Sequence, residues 1–329
     1  MYATGNKKML NMLILEILRT YTDEEHSLTQ QEIIKLLNRN YGMECDRRSV
    51  RNNVLCLKEL GYDISTEKGY RLLSREFDDA ELRILIDSVL FSKSISNRQA
   101  KDLIGKIRSL SSNFFKAKVS HVSNLPELNR TINKQAMYSL DAINDAIAGK
   151  RKISFIYNDI GTDFKLHPRR EEPYIVNPYQ IVANNGRFYL IGNYQKYDNV
   201  AHFRIDKMTG VRILDEKTKP MKDVPELNGG LNLPKHMAEH VYMFSGPGIR
   251  IKMATTADMM PDLVDWFGKD FRILEQDGDR IVVKLSCNEK AMRFWALQYG
   301  PYVEILEPLS LREQIKADVE AMAAKYSDE

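Results

Sequence analysis

From Lys152 onward the apolar residues change their spacing, and that change limits what this chain can fold into. Upstream they recur every three or four positions. Met9, Leu10, Leu13, Ile14, Ile17 and Leu18 do so within 6–20, followed by Ile33, Ile34, Leu36 and Leu37, by Leu82, Leu85, Ile86 and Val89, and by Leu103, Ile107 and Leu110. That is helical spacing. The segment "MYSLDAINDAIAGKR" carries it to the edge of the change. Downstream, "KISFIYN", "FKLHPRREEPYIV", "YQIVANNGRFYLIGNY" and "VAHFRIDKMTGVRIL" are short runs rich in β-branched and aromatic residues, which is strand composition. Helices first and strands later predict a multidomain α+β chain, and 329 residues suffice for two or three domains.

Local punctuation divides the chain further. In 1–75, Thr29 and Glu32 form a capping box at the head of a second helix, and Gly42 stops it. Asp46 is the expected N-cap of a third helix that ends before Gly61, and Lys68-Gly69 falls between two short strand-like runs. Three short helices and a hairpin give the order of a winged helix-turn-helix. Residues 76–135 read as a helical linker, with "HVSNLPELNRTIN" as a connector. Residues 136–218 hold several strands at barrel-like spacing, and Asn185-Gly186 is a hairpin turn in which both positions need positive φ. Residues 219–245 contain Pro220, Pro225, Gly229-Gly230 and Pro234 and are expected to be a linker or extended arm. Residues 246–329 alternate strand, helix, strand, a turn at Asp277-Gly278, strand, helix, strand and helix, the order of a ferredoxin-like α+β unit. Trp266, Phe267, Phe294 and Trp295 follow helical spacing there and are expected in the core or at a dimer interface.

Composition removes several function classes. The 43 % hydrophobic and 28 % charged content describes a globular chain. No apolar run is long enough for a membrane-spanning helix, and the interrupted N-terminal stretch reads as an amphipathic helix rather than a signal peptide, so a cytoplasmic location is expected. Cys45, Cys56 and Cys287 are scattered and odd in number, which argues against a disulfide framework or a zinc ribbon. There is no P-loop, G-x-G-x-x-G, G-x-S-x-G or H-E-x-x-H motif, and no carboxylate cluster for metal-dependent hydrolysis. No catalytic residue, cofactor or metal site is therefore expected, and the six histidines are read as giving no ligand set. A net charge of +3 does not identify a nucleic-acid binder, so that function must come from local clustering.

The third helix offers such clustering. At 100° per residue, Val50, Val54 and Leu57 share one side, while Arg48, Ser49, Arg51 and Asn52 lie across from it or on its flanks. Arginine pairs with guanine and asparagine with adenine through two-point contacts, so Arg48, Ser49 and Asn52 are candidates for base edges. Arg47 and Arg51 are placed for phosphates, and Lys68 and Arg71 for the backbone or minor groove near the wing tip. On the strands, His202, Arg204 and Asp206 alternate with Ala201, Phe203 and Ile205, giving one polar and one apolar row. An arginine beside aromatics suits a phosphate next to a base. The plainer alternative is that Arg204 pairs with Asp206 and Tyr189 is a core residue.

The segment "TQQEIIKLLNRNYGMECDRRSVRNNVLCLKELGYDISTEKGYRLL" resembles the winged helix-turn-helix of bacterial transcriptional regulators of the WYL-domain family, with Asn52-Asn53 where the family has Arg-Asp. "FYLIG" at 188–192 is similar to the Trp-Tyr-Leu signature of that domain, with Phe188 in the tryptophan position. "NPYQIV" and "HFRIDKM" fit its flanking strands, and "WALQYGPYVEILEPLSLREQI" resembles the WCX extension. The resemblance implies a small Sm/SH3-like β-barrel that binds a nucleic-acid or nucleotide-like effector, with a single-stranded oligonucleotide as first choice and a cyclic dinucleotide as second. The implied ligand residues are Tyr179, Arg187, Tyr189, His202, Arg204 and Lys207, with His167, Arg169 and Arg170 as further candidates. The implied partners are a duplex DNA operator, that effector and a second copy of the chain. The alternatives are a non-catalytic nucleic-acid-binding module serving a nuclease or helicase, and a protein-interaction scaffold.

Overall fold

The computed structural model describes residues 9–119 and 130–327, and the chain divides into two compact units, Met1–Thr131 and Ile132–Glu329. Most of the expected connector, 120–129, lies outside the described residues, as do residues 6–8 of the first predicted helix.

In the first unit, α1 (Leu10–Tyr21), α2 (Gln30–Tyr41) and α3 (Arg47–Glu59) precede a hairpin of β1 (Ile64–Ser65) and β2 (Arg71–Leu72). Both ends of α2 form as the local chemistry requires. The Glu32 amide donates to Thr29 Oγ1 at 3.3 Å, the Thr29 amide donates to Glu32 Oε2 at 2.7 Å, and Gly42 takes a left-handed φ of 63° past the end. The Ser49 amide donates to Asp46 Oδ1 at 2.6 Å and starts α3. Leu10, Ile14, Ile17 and Leu18 of α1 meet Ile33, Leu37, Val50, Val54 and Leu57 in one core, closed on the hairpin side by Ile64 and Leu72. Three further helices follow, α4 (Asp79–Phe91), α5 (Asn97–Ser109) and α6 (Asn113–Lys118). They have their own core of Leu82, Ile86, Ile104, Ile107 and Phe115. The apolar stripes here are narrower than the sequence spacing suggests, since Leu85, Leu103 and Leu110 are all exposed.

In the second unit, α7 (Ala136–Ala148) leads into β3 (Arg151–Ile160), β4 (Leu166–Pro168), β5 (Tyr174–Asn184), β6 (Arg187–Tyr194), β7 (Val200–Arg204) and β8 (Met208–Lys217). The sheet runs β4-β3-β5-β6-β7, and β8 returns to pair with β3, so the sheet curls. A single 3-10 turn, Ile205–Lys207, joins the distant edge strand β7 to β8. Asn185 and Gly186 take φ of 48° and 74° in the tight turn between β5 and β6. Phe155, Val176, Leu190, Phe203, Ile205 and Met208 fill the concave side with Ile143 of α7.

The expected arm at 219–245 is not extended. Two 3-10 turns and α8 (Leu233–Glu239) fold it against the convex side of the sheet, where Val224, Leu227 and Met243 pack on Tyr179, Val182, Ile191 and Val200. This explains why β6 is apolar at successive positions: Leu190 faces one core and Ile191 the other. The remainder comprises β9 (Gly248–Thr256), α9 (Met260–Phe267), β10 (Arg272–Asp277), β11 (Arg280–Asn288), α10 (Glu289–Gln298), β12 (Val303–Glu307) and α11 (Leu309–Tyr326). Its antiparallel sheet is ordered β10-β11-β9-β12, with β11 inserted between β9 and β10. Phe267 and Trp295 are fully buried in its core, whereas Phe294 is exposed and Trp266 is tied by its indole to the Tyr299 hydroxyl at 3.0 Å. Among the described residues, no helix is long and apolar enough to cross a membrane.

Candidate functional site

On α3, burial of Val50, Val54 and Leu57 turns the opposite side outward, and Arg47, Arg48, Arg51 and Asn52 are all exposed. Ser49 is half-buried, and Asn53 donates back to the Ser49 carbonyl at 2.7 Å, so of the two adjacent asparagines only Asn52 points away. Lys68 sits exposed at the hairpin tip with a positive φ of 55°. Arg71 does not reach outward as expected. Its guanidinium donates to the Glu24 carbonyl at 2.7 Å and holds the hairpin to the loop after α1.

On the curled sheet, Arg204 pairs across the ladder with Tyr189, and Arg187 follows the tight turn on β6. Both arginines close on one carboxylate. Arg204 donates from Nε and Nη2 to Asp206 at 3.1 and 2.7 Å, and Arg187 Nη1 donates to Asp206 Oδ2 at 2.6 Å. Asp206 is only 3 % exposed, while about a quarter of each arginine side chain is open to solvent (24 % and 25 %). The plainer alternative for Arg204 is thus the geometry found. The strand alternation ends at Arg204, and the 3-10 turn brings Asp206 back beneath the two guanidiniums. Burial works against the Arg204 cation, but its bonds to Asp206 outweigh that and hold its pKa above the ordinary value.

A second clamp lies beside the first. Arg169 grips Asp159 through two bonds of 2.6 and 3.0 Å, and Lys207 Nζ reaches the same carboxylate at 3.0 Å. Arg169 also stands 4.9 Å above the Tyr157 ring, whose hydroxyl accepts from the Arg204 amide at 3.1 Å. Burial pushes the Tyr157 phenol up to about 12, so it stays a neutral hydroxyl. Four cations, Arg169, Arg187, Arg204 and Lys207, thus meet two carboxylates along a continuous chain of contacts, an excess of positive charge beside Tyr189. That combination can hold an anion; the Tyr189 ring beside it is half-buried and packs in part against the core under the arm.

The Arg169 hydrogen bond chiefly, helped by Lys207, pulls the Asp159 pKa from 3.8 to about 2. Because the folded-state value lies below the ordinary one, the contribution of this clamp is complete above about pH 4 and fades as pH falls toward 2. A carbon-detected NMR titration of Asp159 should give a midpoint near 2, moving toward 3.8 in Arg169→Ala.

The other expected ligand residues are placed differently. Tyr179 is buried in the core under the arm, with its hydroxyl donating to the Lys219 carbonyl at 2.8 Å, so it is a packing residue. His167 is exposed and bonded to Asp163 at 2.9 Å. Arg170 lies 3.7 Å above the Tyr174 ring. His202 shares a face with Arg204 but is drawn the other way, toward the arm: its Nε2 lies 2.7 Å from His236 Nε2, and the His240 ring centroid is 4.8 Å away. The reading that the histidines show no H-x-x-x-H pattern is incorrect. His236 and His240 stand in an H-x-x-x-H spacing that is plain in the sequence, and the fold supplies a third ring to them.

The WYL domain family matches residues 139–213, which contain both clamps, and the WCX domain family matches residues 247–323. The chain carries a WYL domain and a WCX domain. No curated protein matches it. Among solved structures, proteasome accessory factor B/C (PafBC) of Arthrobacter aurescens is similar over 98 % of this chain and 49 % of its own, at 13 % identity and a TM-score of 0.32. This chain therefore spans about half the length of that one. A CRISPR Cas-related protein is similar over 77 % of this chain and 75 % of its own, at 15 % identity and a TM-score of 0.41. His202 lies inside the WYL domain, whereas His236 and His240 lie in the arm between the two matched regions.

Proposed function

We propose that this chain is a homodimeric, sequence-specific DNA-binding transcriptional regulator whose WYL domain takes a nucleic-acid or nucleotide effector. The first 75 residues act as a winged helix-turn-helix, with α3 as the helix that enters the major groove. The observation that carries this reading is the coincidence, in one chain, of a WYL–WCX pair with an exposed basic flank on a capped third helix. Dimerisation is part of the reading because one small DNA-binding unit buries too little surface for tight specific binding, and paired half-sites supply the remainder. In the WYL domain the two carboxylates hold four cations in place before any ligand arrives, so an incoming phosphate meets an ordered donor set instead of mobile side chains. Tyr189 beside Arg204 is the stacking surface for a base.

The test has two arms. Binding of the full chain to genomic duplex fragments should weaken steeply with salt, since phosphate contacts release counterions. Titration of labelled short single-stranded DNA and of cyclic dinucleotides should show binding by the wild type that is weakened about 10- to 100-fold in Arg204→Ala, the cost of one charge-assisted contact. Duplex affinity insensitive to salt would reject the DNA-binding reading, and equal effector affinity in both proteins would reject the pocket.

A further inference from the structure

His202, His236 and His240 come from places that the sequence keeps 34 residues or more apart on one side and four apart on the other. His202 projects from β7. His236 lies on α8, and His240 caps its end. Their rings are mutually packed, with centroids 5.0, 4.8 and 4.2 Å apart, and one nitrogen from each lies within 4.8 Å of the other two. Three imidazoles packed together, one buried and two half-buried, need an explanation, because each ring brings two polar atoms that must find partners.

Proton bookkeeping shows that the three rings do not satisfy one another. His240 is 4 % exposed, and both of its nitrogens face carbonyls: Nδ1 at 2.9 Å from the His236 oxygen and Nε2 at 3.1 Å from the Gly246 oxygen. A neutral imidazole has one N–H and can serve only one of them. With Nδ1 donating to the carbonyl, as a metal-bound histidine anchors its second nitrogen, Nε2 requires a positive partner, either a proton or a metal ion. His202 and His236 set Nε2 against Nε2 at 2.7 Å, a contact that a single N–H must bridge. His202 Nδ1 is buried and makes no hydrogen bond of good geometry, with the Phe244 backbone the one group within its reach among the described residues, the kind of backbone anchor that the second nitrogen of a metal-bound histidine takes.

We propose that His202, His236 and His240 form a three-histidine site for a divalent transition-metal ion, zinc by preference, with the fourth position open to water or a small anion. Three neutral nitrogen donors and no acid suit zinc, copper, nickel or cobalt rather than magnesium or calcium. Zinc–nitrogen bonds of about 2.0–2.1 Å set tetrahedral ligand nitrogens about 3.3 Å apart. The closest pair here, at 2.7 Å, must open slightly, and the spread within 4.8 Å must close, which are side-chain rotations rather than changes of fold. An ion held there would pin the arm between the WYL and WCX domains to β7, two residues from Arg204.

The test uses the full chain without a histidine tag, stripped with a chelator and titrated with Zn²⁺ or Co²⁺ alone. The wild type should bind one ion per chain, melt at a higher temperature in zinc, and give the visible spectrum of tetrahedral Co²⁺ without a thiolate charge-transfer band. His236→Asn and His240→Asn should each lose more affinity than the roughly 10- to 100-fold that removal of an outer-shell partner costs. Absence of stoichiometric binding by the folded wild type would overturn the site. So would a thiolate band, which would assign the ion to Cys45, Cys56 or Cys287, or undiminished binding in His202→Asn/His236→Asn. Because the wild-type stoichiometry and cobalt spectrum require no variant, a variant that fails to fold does not protect the proposal.

Discussion

Asp206→Ala should destabilise the unit formed by Ile132–Glu329 by about 2–3 kcal/mol, lowering its melting temperature by roughly 5–10 °C. The carboxylate is 3 % exposed and is the meeting point of Arg187 and Arg204. Removing it leaves two guanidiniums side by side on a partly buried surface with no counter-charge between them. Breaking a fully buried ion pair costs about 3–5 kcal/mol, and the lower figure applies because about a quarter of each arginine can still be hydrated (24 % and 25 %). The mechanism is separable by a double-mutant cycle. In an Arg204→Met background the same Asp206→Ala change should cost markedly less, because one of the two stranded cations has gone. A loss within the roughly 0.5 kcal/mol of an ordinary surface substitution would show that the clamp is not structural.

This pairing also shows where sequence reasoning stops. Thr29 with Glu32, Asp46, Gly42 and Asn185-Gly186 were legible because each acts on backbone within a few residues, and the chemistry of a cap or a tight turn travels with the residue. The shift from helical to strand spacing at Lys152 was legible for a similar reason, since one period or the other must bury the apolar side. Residues 219–245 were misread because their prolines and glycines stand out and their anchors do not. Val224, Leu227 and Met243 are too sparse to show any period, yet they cover the convex face of the sheet. Arg204 and Asp206 were read as one polar row of a strand, but the strand ends at Arg204, and the 3-10 turn at Ile205–Lys207 decides that they bond to each other. His202 belongs to the same class. Nothing near it in sequence announces His236, although the four-residue spacing of His236 and His240 is itself visible.

On α3 the expected effects divide by position. Arg48 and Asn52 are four apart and share one exposed line on the helix, and Arg47 and Arg51 share the adjacent line. Arg48→Ala and Asn52→Ala should each cost about 1–3 kcal/mol on the cognate duplex, roughly 10- to 100-fold, and relax preference at the base each one reads. Arg47→Ala and Arg51→Ala should weaken binding to all sequences alike, and each should lower the slope of log K against log salt by about one. None of the four should alter folding by more than about 0.5 kcal/mol, because these side chains are exposed while Val50, Val54 and Leu57 hold the helix in place. Arg71→Ala provides the contrast. Its guanidinium is spent on the Glu24 carbonyl, so its loss should loosen the hairpin and leave the salt slope unchanged. Uniform weakening by Arg48→Ala and Asn52→Ala, with no change in base preference, would move α3 out of the groove and reduce it to a backbone contact.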